Sequence, residues 1–173
     1  MPADRSDVES IPGDPANALA GSGVASRVQA LIDRLELVPH PEGGWYREFW
    51  RSPIELASGA LPPGYPAKRA LMTSIYYLLP TGGGSALHRV RSEELWMHHQ
   101  GDDLALGVGV TPAEAADPGR AIRLGQGEAA ALQAIVPAGE WQRAEALAGP
   151  AGYALVGCVV APGFDFDDFE MAD

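Results

Sequence analysis

The hydrophobic and polar positions divide the chain into stretches of different character. Residues 1–24 are rich in Pro, Gly, Ser, Ala and Asp and lack hydrophobic periodicity, which is typical of a disordered leader. From Ser26 to Leu37 apolar residues recur at helical spacing, which predicts a helix with Ser26 as its N-cap. Pro39 and Pro41 lie just beyond that helix and prevent its continuation.

After the helix, short apolar runs alternate with turns rich in Gly and Pro. The stretch 52–66 holds four prolines and two glycines and predicts an irregular loop. Many short strands after one helix indicate a β-sandwich or barrel in a single domain, residues 25–173. The predicted strands are Trp45–Arg51, Arg69–Leu79, Ser85–Val90, Glu94–Gln100, Leu104–Val110, Ala121–Leu124, Ala134–Val136, Trp141–Ala146 and Tyr153–Ala161.

Composition narrows the class of partner. The chain has 23 acidic and 12 basic residues, a net charge of −11, so it lacks the basic excess that nucleic acids or anionic membranes attract. Residues 1–20 carry a net charge of −3 and residues 165–173 carry −5, which leaves the body close to neutral. A single cysteine, Cys158, and an N-terminus without an apolar signal segment predict a cytoplasmic protein without disulfides or membrane spans.

The densest group of chemically active side chains lies in two consecutive predicted strands. His88 shares a strand face with Val90, and Glu94 shares a face of the next strand with Trp96 and His98, because side chains alternate along a strand. The later turn 137–139 leads into a further strand that carries Gln142.

This arrangement resembles the two sequence motifs of cupins. The first motif is His-x-His, then Glu, then Gly seven residues beyond that Glu, and His88, Glu94 and Gly101 match it. The second is Pro-x-Gly-x-x-His. Val90 stands where the second histidine would be, and Gln142 stands where the third would be.

The chain resembles one group of that superfamily, the cupin-5 family of small uncharacterised proteins. The resemblance implies a mainly β fold, a cupin-type double-stranded β-helix (jelly roll) with an N-terminal helix, and a homodimer. It implies no particular reaction. The matching segments are His40–Glu48, Thr73–Leu79, Ser85–Trp96, Val136–Gln142 and Gly157–Phe164.

In the cupin register, the polar side chains line the barrel interior and form a pocket. An interior that only needed packing would not bury His, Glu, Gln and Trp side chains, so we expect a small polar ligand, sugar- or nucleotide-like, as partner. His88 and Glu94 are the candidate catalytic residues. The other candidate ligand-binding residues are Trp96, His98, Glu42, Arg47 and Glu140.

Three functions remain open for this pocket. A divalent metal (Mn, Fe, Ni or Zn) is a candidate cofactor, with His88, Glu94 and Gln142 as ligands. Without a metal, His88 could act as the general base of an isomerase or epimerase and Glu94 could orient it, with Tyr76, Tyr77 and Tyr153 as candidate acids. The third reading is a binding module without catalysis.

Ordinary structural roles compete with each of these assignments. His88 could be a hydrogen-bonded core histidine, and His40 could make only local hydrogen bonds beside Pro41. Arg47 could recognise an anion or form an ion pair with a neighbouring glutamate.

Overall fold

The computed structural model describes residues 22–172, and it begins with a helix on the outside of the barrel. Helix α1 spans Ser22–Leu35, so it starts four residues earlier than predicted and takes its first turn from the expected leader. Ser26 is therefore exposed inside the helix and is not its N-cap. The helix ends at Leu35, and the left-handed φ of 53° at the next residue, Glu36, breaks the helical path. The rest of the expected leader lies outside the described residues.

Within residues 22–172 the chain forms thirteen strands and a second short helix. Helix α2 spans Pro112–Ala116, and Thr111 caps it through a reciprocal hydrogen bond with Glu114. The strands are β1 (Val38–Pro39), β2 (Trp45–Arg51), β3 (Glu55–Leu56), β4 (Arg69–Ala70), β5 (Thr73–Pro80), β6 (His88–Val90), β7 (Glu93–Gly101), β8 (Leu104–Gly109), β9 (Ile122–Leu124), β10 (Gln133–Val136), β11 (Trp141–Ala146), β12 (Tyr153–Ala161) and β13 (Phe169–Met171).

Two antiparallel sheets face each other and build the jelly roll. The six-stranded sheet has the order β1-β2-β5-β12-β7-β10, and the five-stranded sheet has the order β13-β6-β11-β8-β9. The inward side chains of both sheets, such as Tyr77, Trp96, Leu106 and Ala144, pack into one core. The mainly β jelly roll with an N-terminal helix is confirmed.

Helix α1 covers part of the outer face of the six-stranded sheet. Val28, Leu31 and Ile32 pack against Leu78 and Leu155, whose side chains point away from the barrel interior. No helix in the described part of the chain is long and apolar enough to cross a membrane.

The predicted strand bounds differ from the observed ones mainly where pairing with a distant strand determines where a strand begins or ends. β2, β11 and β12 have the predicted bounds. The predicted strand over 69–79 divides into β4, which pairs with β3, and β5, which pairs with β2 and β12. β13, which the strand pattern did not predict, pairs with β6 and forms the edge of the five-stranded sheet.

Candidate functional site

A cavity of about 200 Å³ lies between the two sheets and collects polar side chains from both. Its buried part is formed by His88 of β6, Glu94 of β7, Cys158 of β12 and the side chain of Glu42. Ile75, Val90 and Val160 supply apolar wall. The partly exposed side chains of Glu48, Arg51 and Phe166 mark the side that reaches solvent. The result is a small polar pocket within an apolar barrel.

His88 is held so that one ring nitrogen is committed to the protein. Its Nδ1 lies 2.8 Å from the carbonyl oxygen of Ala86 and acts as donor there, because a carbonyl can only accept. The neutral ring then carries its lone pair on Nε2, which makes no hydrogen bond among residues 22–172. Burial lowers the pKa of His88 to about 4. His88 therefore presents an unprotonated nitrogen at neutral pH, and the ring of Phe169 packs beside it at 5.4 Å.

Glu42 enters the cavity from the loop between β1 and β2. Gly43 and Gly44 adopt φ values of 106° and 68°, and Ala86 N donates to the Glu42 carbonyl at 2.7 Å, so the loop turns sharply against the start of β6. Tyr77 pins the same turn by donating its hydroxyl to Gly43 O at 2.8 Å. As a result, Glu42 Oε2 lies 3.2 Å from His88 Nδ1.

His40 forms the other side of this loop. Its Nδ1 accepts a hydrogen bond from Glu42 N at 3.2 Å, and burial together with neighbouring His88 lowers its pKa to about 4. The local hydrogen bond expected for His40 is present. The ring nevertheless lines the cavity, edge-on to Tyr46 at 4.4 Å.

Two consecutive hydrogen bonds hold the side chain of Glu94 in position. Gln142 Nε2 donates to Glu94 Oε2 at 2.6 Å, and Trp96 Nε1 donates to Gln142 Oε1 at 2.9 Å. Gln142 is fully buried and pairs in register with His88, so these two residues lie side by side on neighbouring strands. Burial raises the pKa of Glu94 above its usual range.

These donors do not fit the metal centre that the cupin pattern implies. The carbonyl oxygen of Gln142 already accepts from Trp96, and Val90 supplies no ligand. His88 Nδ1 donates to Ala86 O, so Nε2 is the one nitrogen of that ring that could act as a ligand, and His40 Nδ1 accepts from Glu42 N. Across residues 22–172, no three His, Cys, Asp or Glu side chains are arranged to hold a metal ion.

Several predicted site residues lie outside the cavity. His98 is buried, but its Nε2 faces Asp102 O at 2.9 Å near the end of β7. Arg47 pairs with Glu36 at 2.6 Å on the outer surface, and Glu140 lies in the turn before β11. Trp96 lies behind Glu94, in contact with Gln142. Of the predicted set, the structure brings together His88, Glu94 and Glu42 at the cavity, with Gln142 as a support.

The sequence did not place His40 or the C-terminal segment at the cavity, and it suggested Tyr77 only as a candidate acid, whereas the Tyr77 hydroxyl donates to Gly43 O. His40 lies far from His88 along the chain, so only the folding of the loop at residues 40–44 against the sheet brings the two rings near each other. The ring of Tyr77 packs 5.4 Å from that of His40. A signal was present in the spacing of His40 and Glu42 directly before two glycines.

The C-terminal segment, residues 164–171, forms part of the cavity wall. Phe164 and Phe166 line the cavity. Asp168 is buried and accepts from Arg69 Nε at 2.6 Å and from Arg91 Nε at 3.0 Å. Arg91 is thus ion-paired with a residue distant along the chain, and Arg47, the predicted anion ligand, is ion-paired with Glu36.

Comparison with known proteins agrees with this architecture. The family model described as "Cupin superfamily (DUF985)", Cupin_5, matches residues 29–172. A hypothetical protein from Leishmania major is 36% identical with a TM-score of 0.70, over 83% of this chain and 86% of that one. A protein from Shewanella oneidensis is 35% identical with a TM-score of 0.67, over 84% of each chain.

More distant likeness supports the fold alone. An uncharacterized conserved protein with a double-stranded β-helix domain from Klebsiella pneumoniae is 14% identical, with a TM-score of 0.51 over 82% of this chain and 94% of that one. No curated protein matches the chain. The family match covers nearly all of the described residues, and the chain belongs to the Cupin_5 family of the cupin superfamily.

Proposed function

We propose that this protein binds a small polar molecule in the cavity between its sheets and that His88 exchanges a proton with it. The observation that carries the proposal is the state of His88. Its Nδ1–H is committed to Ala86 O, so a neutral Nε2 is left as the acceptor in a buried pocket. Glu42 and Glu94 supply further hydrogen-bonding groups around the same space.

The cavity size limits the ligand. About 200 Å³ is several times the roughly 30 Å³ share of one water and less than the pockets of about 300–1,000 Å³ that hold drug-sized molecules. A monosaccharide-sized or smaller compound suits this volume, and a nucleotide would extend past Phe166 into solvent.

Native mass spectrometry of the purified full chain tests the binding proposal. We expect a co-purified small molecule, or a stabilising hit from a panel of small polar compounds, that is lost in His88→Ala. His99→Ala is the matched control, since His99 lies on the exposed outer face and should keep the ligand. Equal ligand occupancy in both variants would contradict a role for His88.

Proton exchange separates an isomerase from a binding module. If His88 acts as a base, a bound compound with an acidic C–H takes up deuterium from D₂O in the wild type and not in His88→Gln. Since the donor set does not fit a metal, chelators should leave this exchange unchanged. Binding without exchange would favour the module.

We also infer that the uncovered outer face of the six-stranded sheet joins two copies of the chain. Phe49 stacks on Tyr76 at 5.1 Å, and Tyr76 meets His99 at 6.3 Å, so an aromatic row crosses the sheet. Phe49 is 52% exposed and Trp50 is 41% exposed, and such apolar patches mark contact surfaces. Sedimentation velocity should show a dimer that dissociates in Phe49→Arg and persists in Val110→Arg.

A further inference from the structure

The cavity has an excess of carboxyl groups over cationic groups. Glu42, Glu48, Glu94 and Asp165 line it, against a single guanidinium, Arg51. That guanidinium is already paired, because its Nε and one terminal nitrogen donate to both oxygens of Glu48 at 2.9 and 2.7 Å. Three carboxyl groups are therefore left without a Lys or Arg partner in the described part of the chain.

Glu42 is the most informative of the three. Its side chain is only 7% exposed, and its carboxyl oxygens accept no hydrogen bond within residues 22–172. The two nearest ring nitrogens are committed elsewhere: His88 Nδ1 donates to Ala86 O, and His40 Nδ1 accepts from the Glu42 amide. A buried carboxyl group without a partner is unfavourable, unless a bound molecule supplies the missing donor.

Glu94 faces the same space from β7. It accepts a hydrogen bond from Gln142 Nε2 and interacts with the thiol of Cys158, and Glu42 and Glu94 lie close enough to affect one another electrostatically. Burial, followed by the nearby Glu94, raises the pKa of Glu42 well above its usual range. A positively charged ligand group beside the two carboxyl groups would favour their ionised forms and offset the cost of burying them.

Aromatic side chains line the same cavity as these carboxyl groups. Tyr46, Phe164 and Phe166 line the cavity, and the ring of Phe166 is partly open to solvent. Aromatic faces attract organic cations and repel anions, because the ring quadrupole places negative charge above its face. The carboxyl groups inside the cavity and the aromatic rings nearer the surface both favour a positively charged ligand.

We propose that the molecule bound in this cavity is a small organic cation, with its charged nitrogen between Glu42 and Glu94 and its apolar part against the aromatic and aliphatic wall. This inference rests on the proposed function, because it names the ligand class of the same cavity. An ammonium group supplies the hydrogen-bond donors that Glu42 lacks.

Three small molecules of equal length but different charge test whether the cavity of the full-length protein prefers a cation. They are butylammonium chloride, 1-butanol and sodium butanoate, titrated at constant ionic strength and followed by protein NMR shifts. With about five or six heavy atoms each, binding in the millimolar range is accessible to this measurement. We expect butylammonium to bind about tenfold more tightly than 1-butanol, and butanoate more weakly than either.

Variants that replace a glutamate by glutamine test which carboxylate binds the charged group of the ligand. Glu42→Gln should weaken butylammonium binding by about tenfold and leave 1-butanol within about twofold, since only the charge is removed. Glu145→Gln, on the exposed surface, is the control and should change neither. If Glu42→Gln does not fold, Glu94→Gln provides the same comparison.

The outcomes separate this inference from the proposed function. Equal or tighter binding of 1-butanol or butanoate in the cavity overturns the cation inference and leaves the binding proposal standing. Binding of none of the three at roughly 50 mM also overturns it. The proposed function is decided independently by ligand occupancy in His88→Ala.

Discussion

Gln142 illustrates how one residue changes the chemistry of a familiar arrangement. It stands where the cupin pattern has a histidine, and its amide uses both ends to connect Trp96 to Glu94. A neutral histidine could also donate from one ring nitrogen and accept at the other, but its ring titrates near neutral pH, whereas the amide carries no charge at any physiological pH. The amide therefore stabilises the buried Glu94 and directs it towards the cavity.

Replacement of this amide should reveal two unsatisfied groups. Gln142→Leu keeps the volume but leaves Trp96 Nε1 and Glu94 Oε2 without partners, so we expect the free energy of unfolding to fall by about 3 kcal/mol. Urea denaturation measures the change. Gln126→Leu, which loses only an exposed hydrogen bond to His99 O, should cost less than about 1 kcal/mol. Equal losses would mean that burial at Gln142 is unimportant.

The buried histidines predict a stability that depends on pH. Burial lowers the pKa of His40 and His88 to about 4, from 6.5 in the unfolded chain. Between these values the unfolded chain binds protons that the folded protein does not, so their effect is to lower stability as the pH falls from 6.5 to 4. Glu42 and Glu94 act in the opposite direction, since their raised pKa values favour the folded protein at low pH.

A single substitution isolates one of these contributions. The stability difference between wild type and His88→Gln should decrease as the pH is lowered from 6.5 to 4, by on the order of 3 kcal/mol. Denaturation at a series of pH values measures it. His99→Gln should show a smaller change, because His99 retains more solvent around its ring. Parallel pH curves for wild type and His88→Gln would contradict the buried, neutral state of His88.

At the scale of elements, the cavity is closed by the parts of the fold that are least regular. The loop at residues 40–44 brings in Glu42, and residues 164–171 bring in Phe164 and Phe166. Both depend on long-range contacts: Tyr77 to Gly43 O for the loop, and Asp168 to Arg69 and Arg91 for the C-terminal segment. The two sheets thus form most of the cavity wall, and the loop at residues 40–44 and the segment 164–171 complete it.

The Asp168 ion pairs should hold the C-terminal segment in place. Asp168→Asn removes the charge opposite Arg69, whose side chain is buried, so we expect a loss of about 3–5 kcal/mol and faster proteolysis after residue 163. Glu170→Gln breaks only the exposed pair with Arg89 and should cost less than about 1 kcal/mol. Similar stabilities of the two variants would show that the buried pair does not secure this segment.

The glycine that ends β7 is required by its backbone conformation. Gly101 has φ of 99°, and a Cβ there would overlap the carbonyl oxygen of Tyr153 on the neighbouring strand. Gly101→Ala should lower the free energy of unfolding by about 2 kcal/mol or more. Gly127→Ala, where a Cβ meets nothing within 4 Å, is the matched control, expected to change stability by less than about 0.5 kcal/mol. Thermal denaturation of both variants distinguishes the two effects.

For the whole molecule, the acidic C-terminal segment is part of the folded structure as far as residue 172. Although residues 165–173 carry a net charge of −5, Asp168 and Glu170 pair with arginines of the barrel. Part of the negative charge of this chain is therefore neutralised in ion pairs and does not produce repulsion between surface groups.

Two deletions compare the ends of the chain. Removal of residues 164–173 reduces the net charge but exposes Arg69 and the cavity wall, so we expect the melting temperature to fall by about 10 °C or more. Removal of residues 1–20, the predicted leader, should change it by less than about 2 °C. A large fall in melting temperature on removal of residues 1–20 would contradict the prediction of a disordered leader. An unchanged melting temperature on removal of residues 164–173 would contradict the role of the C-terminal segment.

The sequence by itself determined the class of fold and most of the strands, and it supplied candidate residues for the site. Period-two alternation, the turn glycines and the spacing of His88, Glu94 and Gly101 are local properties of the chain, and local properties define strands and place neighbours on a face. The same alternation placed Glu94, Trp96 and His98 on one buried face, which β7 confirms.

Only the tertiary structure decided which of these groups share a cavity. His98 and Trp96 lie on the same face as Glu94 but further along β7, where Asp102 O and Gln142 occupy their polar atoms. Glu42, His40 and Phe164 reach His88 through loop closure and strand pairing between segments far apart in sequence. Such contacts depend on how two sheets and two loops meet in space, which no short-range pattern of hydrophobic and polar residues specifies.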